Sequence, residues 1–393
     1  MDVVFITTAL ERGGAETQLV RIATTLRRRG WAVGILTMMP SSAFLEEVAA
    51  AGIPLVECPD ARALLPLDTG LRMIRQLRCW QPALVITFNF PADAFGRICG
   101  RMAGVPTIVS ALGTTHVKSV LRKQFYRLSE PLIAMTVANS KAAARGMVTQ
   151  GLLTREKTRV IPNGLILEPA GAAPGTRAAV RAELGVGDAE FLWLAVGNLR
   201  PAKDYPTLLS AAARCARSAP GMRIRIVGSD FAGTGKGAGG RSFAETLRRQ
   251  AERLNLGAAV QFLGARSDVA RLLCGADGFV LASAWEGLPN TVMEAMAAGL
   301  PVVSTDVGDV AELVQEGISG FLVEPREPRK LAERMLAMMG LPEAVRHAMG
   351  AQGMARIRAR YDNERVVDEW EDLFRGLATR QVPGPLEPSR DFP

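Results

Sequence analysis

Short apolar runs alternate with stretches of helical periodicity along most of the chain, and this alternation limits the possible folds more than any other feature. Apolar runs at residues 3–9 and 32–39 flank a stretch that places Leu19, Ile22 and Leu26 on one helical face. Strands that alternate with helices in this way form parallel βαβ units, with helices covering both faces of the sheet. The sequence therefore predicts an α/β fold built from doubly wound parallel sheets.

The alternation is interrupted once, at residues 166–189, by a segment rich in Ala, Gly and Pro that is typical of a linker with a short helix. With 393 residues, the chain is also too long for a single ordinary core. We predict one Rossmann-like domain over residues 1–165, a second over residues 190–362, and a disordered tail over residues 381–393. Ligands bind at the carboxyl ends of the strands in such folds, so a cleft between the two sheets is the expected site.

Composition narrows the classes of partner. The net charge of +8 predicts anionic partners such as nucleoside diphosphates, lipid phosphates or an anionic membrane surface. We expect no nucleic-acid partner, because aromatic residues make up only 6% of the chain and its basic residues are not grouped in blocks. The five cysteines lack metal-site spacing, Asp2 stands where a signal peptide carries positive charge, and no apolar run has transmembrane length. These features favour a cytoplasmic protein, either soluble or peripheral to the membrane.

The sequence SAWEGLPNTVMEAMAAGLPVV, at residues 283–303, carries two glutamates eight residues apart. Glu286 lies in a loop after a predicted strand, and Glu294 lies inside the helix that follows, which Asn290 or Thr291 could cap. The amide N–H groups of a helix N-terminus attract an anion, and carboxylates nearby can accept hydrogen bonds from sugar hydroxyls. This combination suits a sugar that carries a phosphate.

The E-G-L-P sequence with a second Glu eight residues after the first resembles the EX7E motif of retaining glycosyltransferases of the GT4 type. The GGAE at residues 13–16, the PNG at residues 162–164 and the VGNLRPAKD at residues 196–204 fall in the order of that family. The resemblance extends over nearly the whole chain. It implies the GT-B architecture, with two Rossmann-like domains facing across a cleft, and a C-terminal helix over residues 363–380 that crosses back to the first domain.

The resemblance also implies roles for individual residues. Arg200 and Lys203 follow a predicted strand, and the matching Arg and Lys of the family bind the donor diphosphate and stabilise its departure; the alternative is that both are surface charges. Glu286 would accept hydrogen bonds from the sugar hydroxyls, and Glu294 from the ribose diol. Family members carry a His near His116 that touches the donor sugar, and a further family His corresponds here to Asn89.

The remaining candidates bind the nucleotide and the phosphates. Gly13 and Gly14 open the first predicted helix. Gly228 and Arg266 follow strands of the second domain, near the position at which the family binds the nucleotide base. The backbone amides of residues 287–290 could hold oxygens of the sugar or of the phosphate. The candidate catalytic residues are Glu286, Arg200, Lys203 and His116; the candidate donor-binding residues are Gly13, Gly14, Gly228, Arg266, Gly287, Leu288, Pro289, Asn290, Thr291 and Glu294. We predict a UDP- or GDP-sugar as donor, no other cofactor and no metal, since the nucleotide-binding region has no Asp-X-Asp.

A basic amphipathic helix is predicted over residues 117–132. The pattern places Val117, Leu121, Phe125 and Leu128 on one face, with basic residues elsewhere. Such a helix can lie on an anionic membrane; the alternative is a helix that packs on the sheet with its charges in water.

The leading hypothesis is a retaining glycosyltransferase that moves a hexose-type sugar from a nucleoside-diphosphate sugar to a saccharide or lipid-linked glycan. Its place would be cell-surface polysaccharide or glycolipid biosynthesis. Two alternatives stay open: a nucleotide-sugar epimerase or phosphorylase on the same fold, and a non-catalytic nucleotide-sugar-binding assembly protein. The second stays open because Asn89 and His116 do not establish catalysis on the acceptor side.

Overall fold

A computed structural model describes residues 1–11, 13–58, 67–113, 117, 119–167, 176–230 and 242–379. The chain divides into two compact units. Unit 1 is formed by Met1–Ile166 together with Tyr361–Pro393, and unit 2 by Leu167–Arg360.

Unit 1 is built on a seven-stranded parallel sheet with the strand order β3-β2-β1-β4-β5-β6-β7. The strands are β1 (Val3–Thr7), β2 (Val33–Thr37), β3 (Leu55–Glu57), β4 (Leu84–Phe88), β5 (Thr107–Leu112), β6 (Met135–Ala138) and β7 (Thr158–Val160). The helices of unit 1 that precede unit 2 in the chain are α1 (Gly14–Arg28), α2 (Leu45–Ala50), α3 (Leu67–Trp80), α4 (Ala92–Ala103), α5 (Val120–Ser129) and α6 (Lys141–Thr149). Every residue of β1, β2 and β4 is buried, as expected for strands covered by helices on both faces.

Unit 2 is built on a six-stranded parallel sheet with the strand order β10-β9-β8-β11-β12-β13. The strands are β8 (Phe191–Val196), β9 (Met222–Val227), β10 (Val260–Gly264), β11 (Gly278–Leu281), β12 (Val302–Thr305) and β13 (Gly320–Val323). The helices are α7 (Thr176–Glu183), α8 (Tyr205–Ser218), α9 (Phe243–Arg253), α10 (Val269–Gly275), α11 (Asn290–Ala297), α12 (Val310–Leu313), α13 (Pro328–Gly340) and α14 (Glu343–Arg360). The strand order reverses between β8 and β11, and such a switch point is where ligands bind in doubly wound sheets.

The last helix, α15 (Asn363–Thr379), packs against α1 and completes the core of unit 1. Asn363 Nδ2 donates to Thr25 Oγ1 at 2.9 Å, and Trp31 Nε1 donates to Glu371 Oε1 at 2.8 Å. The chain therefore returns to unit 1 after the whole of unit 2 has been built.

The predicted architecture of two doubly wound parallel sheets is confirmed. The apolar runs at residues 3–9 and 32–39 contain the first two strands, β1 and β2. The tail at residues 381–393 lies outside the described residues.

Helix α5 differs from the prediction for residues 117–132. It begins at Val120, so Val117 precedes the helix, where it is buried against a small cluster that includes Tyr126. Leu121 and Leu128 are 83% and 80% exposed, whereas Phe125 on the same predicted face is half-buried. The helix is therefore shorter than predicted, and Tyr126, not the leucines, anchors it to unit 1. A membrane contact of the exposed leucines stays a prediction.

Candidate donor site in unit 2

Two loops meet at the switch point of the unit 2 sheet, one following β8 and the other following β11. The backbone N–H of Ala284 donates to the carbonyl of Ala202 at 2.8 Å, which ties the loops together. A Cβ on Gly228, which follows β9, would overlap the carbonyl oxygen of Gly197 in the first loop. The candidate Gly228 is thus required for close packing beneath the site.

An ion pair joins the two loops through their side chains. Lys203 Nζ lies 2.7 Å from Glu286 Oε1, and the two side chains are only 10% and 13% exposed. The lysine side chain passes so close to Gly197 that a Cβ there would lie 2.8 Å from Lys203 Cε. The structure therefore brings together two residues 83 positions apart that the sequence assigned to the diphosphate and to the sugar.

Two further residues support this pair, Ser283 directly and Tyr205 through the backbone of the first loop, and neither was predicted from the sequence. The Tyr205 hydroxyl donates to the carbonyl oxygen of Gly197 at 2.6 Å, and Ser283 Oγ donates to Glu286 Oε1 at 2.6 Å. Burial is the main cause that raises the pKa of Tyr205, and the nearby Glu286 carboxylate raises it further. The phenol therefore stays protonated and remains a donor. The only sequence signal for these residues was their position beside Lys203 and Glu286.

The loop after β11 is also held by the segment that follows β12. The backbone N–H of Asp309 donates to the carbonyl of Gly287 at 2.9 Å. Gly308 has φ +61°, and a Cβ on it would overlap the carbonyl oxygens of Glu286 and Gly287. Only glycine fits this position, and its close packing against the two carbonyl groups fixes the backbone of the candidate binding loop.

Helix α11 starts directly after this loop, at Asn290. Pro289 stands at the N-cap, and no side chain caps the helix, so the predicted capping by Asn290 or Thr291 is wrong. Proline before the helix presets the chain direction but cannot offer a capping oxygen. The positive end of the helix dipole therefore lies beside the Glu286 loop, where an anion would be stabilised. Glu294 lies one turn further along α11 and is half-buried.

Other candidates of unit 2 lie at the edges of this arrangement. Arg200 is exposed in the loop after β8, at the start of a 3-10 turn that ends with Lys203. Arg266 follows the edge strand β10, and its guanidinium pairs with Asp268 at 2.7 Å and with Glu183 at 2.8 Å. Arg266 lowers the pKa of the Asp268 carboxyl to about 2. The Arg266 charge is thus already balanced by carboxylates, and its contact with a base stays a prediction.

The candidates of unit 1 are Gly13, Gly14, His116 and the neighbouring Asn89. Gly13 stands at the N-cap of α1, where an added Cβ would overlap the carboxylate of Glu16. Burial is the main cause that raises the pKa of Glu16. A phosphate approaching this helix N-terminus would therefore meet a carboxyl group there.

His116 lies outside the described residues. Asn89 follows β4 with φ +57°, a conformation that asparagine tolerates better than most residues. Its carbonyl accepts a hydrogen bond from the N–H of Asp93 at 2.7 Å. Asn89 thus lies at the carboxyl edge of the unit 1 sheet, beside the switch point between β1 and β4.

The described residues contain neither a candidate membrane span nor a candidate metal cluster. None of their helices is both long and apolar enough to cross a bilayer. Within the same ranges, no group of three or more His, Cys, Asp and Glu residues is placed to hold a metal ion.

The chain folds into two Rossmann-like units, and the second carries a lysine–carboxylate pair and a helix N-terminus at its switch point. This is the architecture of the GT-B class of glycosyltransferase folds. Residues 12–168 match the family model described as Glycosyltransferase Family 4, and residues 176–356 match the model described as Glycosyl transferases group 1. The two models together account for most of the chain, which belongs to the GT4-type glycosyltransferases.

Individual relatives and structures agree with this assignment. A D-inositol 3-phosphate glycosyltransferase of Segniliparus rotundus is 29% identical over 88% of this chain and 80% of its own length. A UDP-Gal:alpha-D-GlcNAc-diphosphoundecaprenol alpha-1,3-galactosyltransferase of Escherichia coli is 25% identical over 72% of this chain and 73% of its own length. In several other relatives the match spans only about half of the relative's length.

The fold is similar to that of HepE from Anabaena, solved in complex with UDP-glucose. The TM-score is 0.84 at 24% identity, over 96% of this chain and 100% of that one.

Proposed function

We propose that the protein is a retaining, metal-independent glycosyltransferase that moves a hexose-type sugar from a UDP- or GDP-sugar to a saccharide or lipid-linked glycan. It would act in cell-surface polysaccharide or glycolipid biosynthesis, at the cytoplasmic face of the membrane, with no cofactor beyond the donor. The observation that carries the proposal is the Lys203–Glu286 pair at the switch point of unit 2, 2.7 Å between charged atoms.

This pair places complementary groups beside each other at the junction of a sugar and its diphosphate. Lys203 and Arg200 would stabilise the departing diphosphate, since a charge-assisted hydrogen bond contributes about 1.5–3 kcal/mol. The N-terminus of α11 adds oriented N–H donors for the same anion. These groups can meet the phosphate charge in place of a divalent cation. Glu286 would accept hydrogen bonds from the sugar, and Glu294 from the ribose.

The acceptor is proposed from the relatives. The printed name of the Escherichia coli relative gives it a lipid-diphosphate-linked acceptor, and that of the Segniliparus relative gives it an inositol phosphate. Both acceptors carry phosphate, which suits the net charge of +8 of this chain. A lipid-linked acceptor would bring the protein to a membrane surface.

Helix α5 is the proposed membrane contact. Val120, Leu121 and Leu128 are 70%, 83% and 80% exposed on it, and exposed apolar residues grouped on one element can mark an interaction surface. Arg122 stacks over the Phe90 ring at 4.3 Å and remains exposed beside them. Exposed apolar and basic groups on one short helix match the chemistry of an anionic lipid interface.

Vesicle sedimentation tests this contact with vesicles of phosphatidylcholine and phosphatidylglycerol. The double variant Leu121→Gln/Leu128→Gln should bind at least roughly tenfold more weakly, because each leucine contributes about 1.5–3 kcal/mol when fully buried. Val345→Gln, at an exposed valine of α14, is the control. Equal binding by all three proteins would leave α5 as an ordinary surface helix.

A thermal-shift panel of UDP-, GDP- and ADP-sugars tests the donor class. A ligand at 100 times its Kd stabilises the folded protein by about 2.7 kcal/mol, which is readily measured. The best donor is then followed by NMR with and without a chelator, and retention appears as an unchanged anomeric configuration in the product. Failure of every nucleotide sugar to bind would refute the proposal. Conversion of the sugar without transfer would favour an epimerase or phosphorylase. Binding of the nucleotide sugar without turnover would favour a non-catalytic assembly protein.

A further inference from the structure

Ser283 contacts the same carboxylate as Lys203, that of Glu286. It follows β11 by two residues and is fully buried. Its Oγ donates to Glu286 Oε1 at 2.6 Å, the oxygen that Lys203 Nζ approaches at 2.7 Å. One oxygen of Glu286 is thus held by two donors that come from different loops.

The second oxygen, Oε2, accepts no hydrogen bond from any residue in the described parts of the chain. The terminal torsion of a glutamate side chain is broad, so a carboxylate held by a single contact can turn. Two donors on Oε1 restrict this rotation and give Oε2 one direction. An ionised carboxylate only accepts hydrogen bonds, so Oε2 is suited to a hydroxyl donor such as a sugar.

The backbone of Ser283 is itself fixed. Its carbonyl oxygen accepts a hydrogen bond from Thr305 Oγ1 at 2.7 Å, and Thr305 is buried on the neighbouring strand β12. The serine hydroxyl therefore comes from a rigid part of the sheet edge rather than from a free loop. Groups supported in this way hold a binding residue in the productive geometry.

We infer that Ser283 is a positioning residue for the transfer reaction: with Lys203 it holds Glu286 Oε1, so that Oε2 accepts a hydrogen bond from a hydroxyl of the donor sugar. The inference rests on the proposed function, and it adds which oxygen faces the sugar and which residue directs it. Ser283 does not touch the donor in this arrangement.

Steady-state kinetics of Ser283→Ala test the inference, with the nucleotide sugar that most raises the melting temperature as donor. The kcat/KM for this donor should fall roughly tenfold or more, as for a lost hydrogen bond to a charged group. Calorimetry with the corresponding nucleoside diphosphate, which lacks the sugar, should give an affinity within about twofold of wild type. Ser283→Cys keeps a donor at this position, although the thiol is larger than the hydroxyl and donates more weakly, so its kcat/KM should lie between those of wild type and Ser283→Ala.

Ser304→Ala is the matched control. Ser304 is also fully buried, but its hydroxyl donates to the carbonyl of Thr305 at 3.0 Å. Both Ser→Ala variants lose a buried hydroxyl and should lose similar stability, whereas only Ser283→Ala should lose kcat/KM. A double-mutant cycle adds a second test, because in a Glu286→Gln background Ser283→Ala should cause little further loss.

The outcomes separate the inference from the function on which it rests. If wild type binds no nucleotide sugar, the proposed function fails and the inference falls with it. If wild type turns over a donor but Ser283→Ala matches Ser304→Ala in kcat/KM, only the positioning role is refuted. Equal losses of Ser283→Ala in both backgrounds, or a parallel loss of diphosphate affinity, would likewise show a merely structural serine.

Discussion

Replacing Lys203 with methionine is expected to destabilise unit 2, because Glu286 would keep one hydrogen-bond donor instead of two. The two side chains are only 10% and 13% exposed, so the solvent can replace little of what is lost. A hydrogen bond to a charged group contributes about 1.5–3 kcal/mol, and removing one partner of a fully buried pair costs about 3–5 kcal/mol. Because Ser283 still donates to the carboxylate, we expect a loss of about 2–3 kcal/mol in the free energy of unfolding.

Differential scanning calorimetry measures this effect. For a unit of this size, the loss corresponds to a melting temperature lower by roughly 4–12 °C. Adding Glu286→Gln removes the uncompensated charge, so the double variant should recover part of the stability. Lys330→Met is the control, because Lys330 pairs with Glu324 at 3.0 Å on the exposed surface and should have little effect. An unchanged melting temperature for Lys203→Met, or a double variant less stable than the single one, would refute the reasoning.

Three further predictions concern single positions. Gly308→Ala should cost roughly 2 kcal/mol more than Gly317→Ala in denaturant unfolding, because both have positive φ but only Gly308 faces backbone oxygens; equal costs would contradict the overlap. Glu294→Ala should weaken the binding of donor and of free nucleoside diphosphate alike, whereas Glu286→Ala should impair only use of the sugar; calorimetry with both ligands decides, and equal binding by wild type and both variants would overturn the assignment. Glu16→Gln should stabilise the protein at neutral pH, because the raised pKa of Glu16 makes its charged form unfavourable in the fold. This gain should vanish as the pH falls below the ordinary glutamate pKa, so a gain that persists there would contradict it.

The sheets and the candidate loops could be predicted from the sequence because they depend on local patterns. Parallel strands covered on both faces need continuous apolar runs, and the helices between them need apolar residues every three or four positions. The loop holding Glu286 and the helix holding Glu294 follow from glycine and proline at fixed offsets from such a run. These signals lie within about 20 residues of each other, so no knowledge of tertiary contacts is required.

The partners of each side chain depend on residues far apart in sequence. Nothing near Lys203 indicates that its ammonium group meets Glu286, since the contact exists only because β8 and β11 are neighbours in the sheet. The same is true of Gly308, whose need for glycine comes from carbonyl groups of another loop. In helix α5, periodicity placed Leu121 and Leu128 on one face, but it did not indicate that Tyr126 would pack into unit 1 and leave both leucines exposed.

The amino-acid sequence by itself determined the class of fold and the loops in which the candidate site lies, because strand burial, helix periodicity and turn residues are properties of short segments. Only the tertiary structure decided which atoms meet in those loops. Ser283 and Tyr205 acquired their roles through strand order and side-chain packing, which bring together groups that a linear pattern cannot relate.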